Sequence, residues 1–198
     1  MTRGIRGGWQ SQNPGWRSAN NALFDMVART TVLVLVWGPA ESWGKYYEKR
    51  IQIIDHLRDS NPNNDVAMSE DLMKQDPRFE EMKLTDAELF HLRSAQIAFL
   101  LIVDERRVTG VQAEVLTFER SADFRQKAWL LKPKVSQKQA KRAGYLQQGW
   151  VNYDPARCLV YTPEEFEDCT KIRAFCLAKV EAMRHDLAMN GIFQGRAW

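Results

Sequence analysis

Two apolar runs of strand length constrain the fold more than any other feature of this sequence. Thr31–Trp37 and Gln96–Val103 consist almost entirely of apolar or β-branched residues. A strand that is solvated on one face alternates apolar and polar residues, whereas a strand buried on both faces forms a continuous apolar run. Both runs therefore predict strands inside a sheet that is covered by other elements on its two faces.

Between these runs the sequence predicts a helix, a short strand and a second helix. Trp43–Asp59 is predicted to be helical because apolar residues recur there at helical spacing. Asp65–Ser69 is predicted to be a short strand, followed by a looser segment that ends near Met82. Thr85 is predicted to be the N-cap of the second helix, with Glu88 completing a capping box.

The second half of the chain repeats the alternation of strands and helices. A capping box, with Pro163 at the first helical position, predicts the start of the final helix, which should end near Asn190-Gly191. The predicted elements are a helix at Val111–Arg120, a strand at Lys127–Leu131, a helix at Ser136–Leu146, a strand at Cys158–Tyr161, and a final helix after Thr162.

Strand and helix alternate about five times, which is typical of a doubly wound parallel sheet. We therefore predict a flavodoxin/Rossmann-like three-layer α/β/α fold with a mainly parallel sheet of about five strands. One α/β domain should span residues 31–190, after an irregular arm at 1–30 and before a tail at 191–198. Within the arm, Asn20–Ala28 could form a short helix.

Composition and charge narrow the class of protein. The chain of 198 residues has no apolar run long enough to cross a membrane. Its three cysteines are an odd, sparse set, which favours reduced thiols and a cytoplasmic location. A net charge of +3 is mild, so a nucleic-acid partner is not expected. The basic residues between Lys132 and Arg142 indicate a solvated helix face or, alternatively, a phosphate contact.

Ligands of doubly wound sheets bind beyond the carboxyl ends of the strands. This rule selects three loops: Gly38–Gly44, Ser69–Glu70 and Asp104–Glu114. The third loop contains Gly110 and enters a helix at Glu114, where a carboxylate could act as a nucleophile or stabilise an oxocarbenium ion. The alternative is that Glu114 only interacts favourably with the helix dipole.

The loop Gly38–Gly44 offers groups that suit a nucleotide. Gly38 and Pro39 end the strand and bring the backbone close to a ligand, Ser42 could bind a sugar or phosphate, and Trp43 could stack on a base. Neither a dinucleotide fingerprint nor a phosphate loop is present. The alternative is an ordinary strand-to-helix turn in which Ser42 is the N-cap.

Other chemistries have weaker support. The three histidines, His56, His91 and His185, are isolated, so no metal site is predicted. His91 is expected to be a core or surface residue of a helix. Cys169 and Cys176 lie on one face of the final helix and are expected to be small core residues.

The order of elements resembles the nucleoside 2-deoxyribosyltransferase family and its relatives, the Toll/interleukin-1 receptor (TIR) domains. The resemblance spans roughly Thr31–Lys134, about half the chain. The segments that carry it are Val32–Pro39, Gln96–Asp104, Gly110-Val111-Gln112-Ala113-Glu114, and Lys127–Pro133.

This resemblance implies an enzyme that cleaves the N-glycosidic bond of NAD or a related nucleotide. It implies that Glu114 is the catalytic carboxylate. Ser42 and Asp104 would then hold the ribose or base, with Trp43 as a stacking wall, and Ser69 is expected at the substrate site because it follows the second strand. The resemblance implies no cofactor, because NAD is the candidate substrate, and for the TIR-type relatives a role in bacterial antiphage defence. A homo-oligomer or a partner protein is expected, with the aromatic N-terminal arm and Trp198 as candidate contacts.

Two other functions stay open on the sequence. The transferases commonly carry an Asp six residues before the catalytic Glu and another before the buried strand, where this chain has Val108 and Gln96. These departures suit a nucleotide-binding or sensing module without catalysis. The third function is a TIR-type protein-interaction scaffold, in which the surface helices matter and the crevice is vestigial.

Overall fold

The computed structural model describes residues 14–79, 81–103, 121–136, 138 and 153–193, and the fold below is that of these residues. In chain order the elements are α1 (Pro14–Arg29), β1 (Val32–Trp37), α2 (Lys45–Ser60), β2 (Asn64–Ala67), α3 (Ser69–Gln75), α4 (Leu84–Ser94), β3 (Ile97–Leu101), α5 (Ala122–Lys127), β4 (Ala128–Pro133), β5 (Cys158–Tyr161), α6 (Pro163–Asp168) and α7 (Thr170–Phe193). Short 3₁₀ turns lie at Glu41–Trp43, Pro77–Phe79 and Pro155–Arg157.

The five strands form one parallel sheet in the order β2-β1-β3-β4-β5. This confirms the predicted α/β class and the parallel sheet. β2 lies on one side of β1 and β3 lies on the other, so the chain reverses its direction across the sheet between these strands. In such sheets the ligand crevice forms at this switch point.

Helices cover both faces of the sheet. On one face, α2 and α7 pack against alternate strand residues such as Val34 and Phe99. On the other face, α4 and α5 pack against the intervening residues, including Leu35 and Leu100. β3 is buried at every position, which is the physical basis of its continuous apolar sequence. None of the described helices is long and apolar enough to cross a membrane.

Several predicted boundaries differ from the structure around β2 and α4. β2 ends at Ala67, and Ser69, expected to be its last residue, begins α3. The segment predicted to be loose contains α3, where Glu70 in the first turn is favourable against the helix dipole. The capping box at Thr85 was wrong, because α4 begins at Leu84 with Lys83 as its N-cap.

The C-terminal part of the fold confirms one capping box and corrects one helix. Thr162 accepts a hydrogen bond from the Glu165 backbone at 3.3 Å, and Glu165 accepts one from the Thr162 backbone at 2.9 Å. The expected single helix is interrupted at Cys169, which adopts a left-handed conformation (φ 59°). α7 then continues to Phe193, beyond the predicted end.

The N-terminal and central segments also differ from the prediction. α1 begins at Pro14 and is therefore longer than the short helix expected at Asn20–Ala28. α5 was not predicted; Phe124 is its fully buried anchor in the second core. The predicted helices at Val111–Arg120 and Ser136–Leu146 lie outside the described residues, apart from 136 and 138.

Candidate functional site

The carboxyl ends of β1 and β3 meet at the switch point of the sheet. Trp37 pairs with Leu100, so Gly38 and Leu101 lie side by side where the two strands end. A Cβ atom placed on Gly38 would be 3.4 Å from Cβ of Leu101 and 2.9 Å from Cδ of Arg50. A side chain has no room here because Arg50 and Leu101 occupy the space beside Gly38. The predicted close approach of this backbone to a ligand stays a prediction.

Arg50 fills the space beneath Gly38 and ties the loop to neighbouring elements. It extends from α2, is 1% exposed, and donates to the Val36 carbonyl at 2.7 and 3.2 Å. It also donates to the Pro39 carbonyl at 3.4 Å. Both ends of its guanidinium contact the Glu70 carboxylate, with Nη2 at 3.0 Å from Oε2. One side chain thus joins the end of β1 to the first turn of α3.

Glu70 keeps its negative charge in this arrangement. Burial acts to raise the pKa of Glu70, but the hydrogen bonds and positive charge of Arg50 outweigh it, so the pKa lies below its ordinary value. About two fifths of the side chain remains exposed, at 38%. The Arg50–Glu70 ion pair therefore holds a partly exposed carboxylate in a fixed position near the carboxyl ends of the strands.

Tyr47 lies among acidic groups at the same edge. Burial raises its pKa, and the carboxylates of Glu41, Asp71 and Glu70 raise it further. The phenol therefore stays protonated near neutral pH and can donate a hydrogen bond. The sequence predicted the helix that carries Tyr47 and Arg50, but neither residue was predicted to belong to the site. The available signal was an arginine at helical spacing from the buried residues Ile53, Ile54 and Leu57.

The loop after β1 is a 3₁₀ turn that presents two of the predicted substrate-binding residues. Ser42 is exposed, and it does not cap α2, whose N-cap is Gly44 with φ 51°. Trp43 is half-buried and meets Tyr46 edge-on, with ring centroids 6.3 Å apart. Pro39 is buried beneath the turn.

An aromatic row runs from this loop across the end of the sheet. Tyr46 contacts Phe166 at a centroid distance of 5.9 Å, and Phe166 stacks on Tyr161 at 5.3 Å. The Tyr161 hydroxyl donates to the Ile102 carbonyl just beyond β3, and burial raises the pKa of this phenol. The row holds Trp43 against a continuous apolar support, which suits a residue that would stack on a planar group.

Ser69 faces the interior of the protein and not the crevice. It is 3% exposed, and its hydroxyl oxygen accepts a hydrogen bond from Nε1 of Trp37 at 2.7 Å. Nδ1 of His91 lies 3.3 Å from the same oxygen. His91 is buried, and desolvation lowers its pKa. The structure therefore assigns His91 to the core, which is one of the two positions expected from the sequence.

The remaining predicted groups divide into two sets. Asp104, Gly110 and Glu114 lie outside the described residues, so the proposed catalytic carboxylate stays a prediction. Cys169 and Cys176 are buried, as expected, and burial raises the pKa of both thiols. Within the described ranges, no cluster of three or more potential metal ligands is found.

Comparison with known proteins gives no assignment. No protein-family model, no curated protein and no solved structure matches the chain at a significant level. The function must therefore be argued from the residues and the fold.

Proposed function

We propose that this protein cleaves the N-glycosidic bond of NAD or a related nucleotide, with Glu114 as the catalytic carboxylate. The observation that supports this most is the adjacency of β1 and β3 at the switch point. Gly38 lies beside Leu101 there. Two of the loops predicted to bind the substrate from their position after a strand, 38–44 and 104–114, thus follow neighbouring strands.

The charges at this edge favour the nicotinamide end of NAD over its phosphates. Three carboxylates, those of Glu41, Glu70 and Asp71, act on Tyr47. Arg50 is engaged by Glu70 and by backbone carbonyls. An acidic surrounding stabilises the pyridinium charge of nicotinamide and the oxocarbenium ion that forms when the bond breaks.

In this proposal each loop has a distinct task. Trp43 stacks on the base, Ser42 binds a ribose hydroxyl, and Asp104 assists in holding the ribose or base. Glu114 stabilises the positive charge at the anomeric carbon or attacks it directly. Arg50 holds the start of this loop through its hydrogen bonds to the Val36 and Pro39 carbonyls. Trp43 and Ser42 are thereby kept in position, which lowers the entropic cost of orienting the substrate.

A nucleotide-binding module without catalysis is the second candidate. The observation that favours it is the inward orientation of Ser69, whose hydroxyl is engaged by Trp37 and lies beside His91. One of the polar groups predicted at the substrate site is thereby unavailable, so the end of β2 contributes less to a substrate site than its position in the sheet predicts.

The test is chromatographic analysis of NAD and a panel of nucleosides after incubation with the wild-type protein and with Glu114→Gln. Release of nicotinamide or free base by the wild type, with a loss of at least about 100-fold in Glu114→Gln, supports the proposal. Asp55→Asn changes an exposed carboxylate on α2 to an amide and should leave turnover unchanged. Full turnover by Glu114→Gln would refute the catalytic role, and saturable binding without turnover would favour the second candidate.

A further inference from the structure

A cavity of about 430 Å³ lies on the α4 side of the sheet, beside the edge strand β2. It is enclosed by β1 and β2 below, by α3 and the turn Pro77–Phe79 on one side, and by α4 on the other. Most of its wall is apolar or aromatic, formed by Leu33, Leu35, Ala67, Leu72, Phe79 and Phe90.

The size of this space distinguishes it from a packing defect. The cavity is partly open to solvent, as the 49% exposure of its lining residue Phe90 shows, so its size is compared with that of ligand clefts. A mainly apolar cavity of several hundred Å³ with a few polar groups is typical of a small-molecule site. The switch-point crevice described above involves other residues, so the cavity is not explained by the proposed N-glycosidic chemistry.

His91 supplies the polar group in this wall. The residue is 4% exposed and lines the cavity. Its Nε2 atom is buried and, within the described part of the chain, has no hydrogen-bond partner. An unpartnered polar atom in a buried wall is unfavourable, and a ligand that bonds to it would remove this penalty.

The hydrogen bonds behind His91 determine which kind of partner Nε2 requires. Trp37 can only donate, so Ser69 accepts from it at 2.7 Å. Ser69 retains its own proton and can donate it to Nδ1 of His91, 3.3 Å away. Desolvation favours the neutral imidazole, and with Ser69 as the donor to Nδ1 the single ring proton resides on Nε2. Nε2–H is therefore a donor, and the ligand must present an acceptor.

The surroundings of the cavity favour a flat, neutral ligand. Phe79 meets the His91 ring edge-on at a centroid distance of 4.7 Å, and Phe90 lies 5.5 Å from Phe79. Two carboxylates line the cavity. Asp76 is bound by Arg78, with Nε at 2.9 and 3.0 Å from its two oxygens, so its charge is compensated, and Asp65 is exposed to solvent. Aromatic walls stack on planar rings, and the low polarity of the interior disfavours a charged molecule.

We propose that this cavity binds a small neutral aromatic molecule whose hydrogen-bond acceptor contacts Nε2–H of His91. The relay from Trp37 through Ser69 and His91 fixes the direction of this hydrogen bond. The proposal is independent of Glu114, because none of the groups that carry it lies in the loop 104–114.

The test uses a matched pair of ligands, quinoline and naphthalene, which differ in one ring atom. Quinoline offers an acceptor nitrogen and naphthalene does not. Both are titrated into the wild-type protein above about pH 7, and binding is followed by NMR through the indole N–H resonance of Trp37, assigned with Trp37→Phe. Quinoline should bind roughly 3- to 10-fold more tightly than naphthalene, the range expected for one buried hydrogen bond.

Three variants locate the site. His91→Phe keeps an aromatic ring but removes the donor, so it should abolish the preference for quinoline while naphthalene still binds. Ala67→Phe fills the cavity from β2 and should prevent binding of both ligands. Val160→Phe introduces the same side chain on β5, at the opposite edge of the sheet, and should bind both ligands like the wild type.

Several results would overturn the proposal. These are the absence of saturable binding to the wild type, equal affinity for the two ligands, and binding that persists in Ala67→Phe. Loss of binding in Val160→Phe as well would also overturn it, because the effect of added bulk would then not be specific to the cavity. The ligand pair and His91→Phe keep the proposal testable even where Ala67→Phe does not fold.

Discussion

Two buried arginines join β1 to β2, one at each end of these strands. Arg50 lies at the carboxyl end, where it contacts the Val36 and Pro39 carbonyls and the Glu70 carboxylate. Arg184 of α7 lies at the amino end, where it donates to the Thr30 carbonyl and to Oδ1 of Asn64. Both side chains are at most 1% exposed.

Their partners differ in charge. Arg50 compensates a partly buried carboxylate. The Thr30 carbonyl and Asn64, which bind Arg184, are neutral, and the acidic neighbour of Arg184, Glu181, is 45% exposed. The comparison teaches that two buried, hydrogen-bonded arginines can differ in their place in the fold. Of the two, Arg50 lies at the carboxyl end of the strands, beside a glycine that has no room for a side chain, where doubly wound sheets bind their ligands.

The largest expected effect on stability follows from the replacement of Arg50. Arg50→Met leaves Glu70 without its cation and two buried carbonyls without a donor, so we expect the free energy of unfolding to fall by about 3–4 kcal/mol. Arg184→Met leaves two neutral acceptors without this donor and the exposed Glu181 carboxylate without its cation, and should cost about 2–3 kcal/mol. Urea unfolding followed by circular dichroism measures both. A larger loss in Arg184→Met would contradict the distinction between the two ends.

The next effect tests the close packing at the carboxyl end. Gly38→Ala places a Cβ atom 2.9 Å from Cδ of Arg50, which is held by hydrogen bonds, and should cost roughly 1–3 kcal/mol. Gly191→Ala in α7 meets no atom within 4 Å and should instead stabilise slightly, by about 0.5 kcal/mol. Equal denaturation midpoints for the two variants would show that the loop can adjust freely.

Measuring the free energy of unfolding as a function of pH separates the role of Arg50 from that of Arg184. The pKa of Glu70 is lowered in the folded protein, so its stabilising contribution is present above the ordinary value of 4.5 and is lost as pH falls through the folded pKa. In Arg50→Met, burial alone would raise this pKa and make protonation stabilising. The deficit of Arg50→Met relative to wild type should therefore shrink from about pH 7 to about pH 4.

Two comparisons control that series. The deficit of Arg184→Met should change little over the same range, because its buried partners do not titrate. In a Glu70→Gln background, Arg50→Met should lose its pH dependence. A deficit that is constant in pH for Arg50→Met would refute the assigned role of Glu70.

The smallest expected effect concerns His91. Desolvation lowers the pKa of His91 in the folded protein. The contribution of its neutral ring to the free energy of unfolding is therefore fully present above the ordinary pKa of 6.5. This stability is lost as pH falls from 6.5 toward the folded pKa, since the unfolded chain binds the proton more readily. His91→Phe should therefore show a flatter dependence of unfolding free energy on pH below about 6.5. An unchanged slope would argue against a buried neutral histidine.

The sequence predicted the elements best where burial is complete. β1, β3 and β5 were located because their residues form apolar runs or are bounded by turn signals, and the capping box at Thr162 was confirmed. α3 and α5 were missed since each is shorter than two turns and gives little periodic signal. The break at Cys169 lies within an apolar pattern that continues through it.

The candidate site was predicted less completely. The loop 38–44 was selected by its position after a strand, and its residues do lie at the carboxyl edge. Ser69 was selected for the same reason, but its hydroxyl faces Trp37 and His91. A loop position predicts proximity to a crevice; it does not predict the direction in which a side chain points.

The sequence by itself determined the class of fold and the neighbourhood of the crevice. Apolar runs alternating with helical patterns admit few arrangements other than a covered parallel sheet, because each pattern reflects local periodicity. Only the tertiary structure decided the roles of Arg50 and His91. Arg50 meets a carboxylate 20 residues away, and His91 lies beside a serine 22 residues away. Such contacts depend on how the helices pack across the sheet, and the local sequence pattern does not predict that packing.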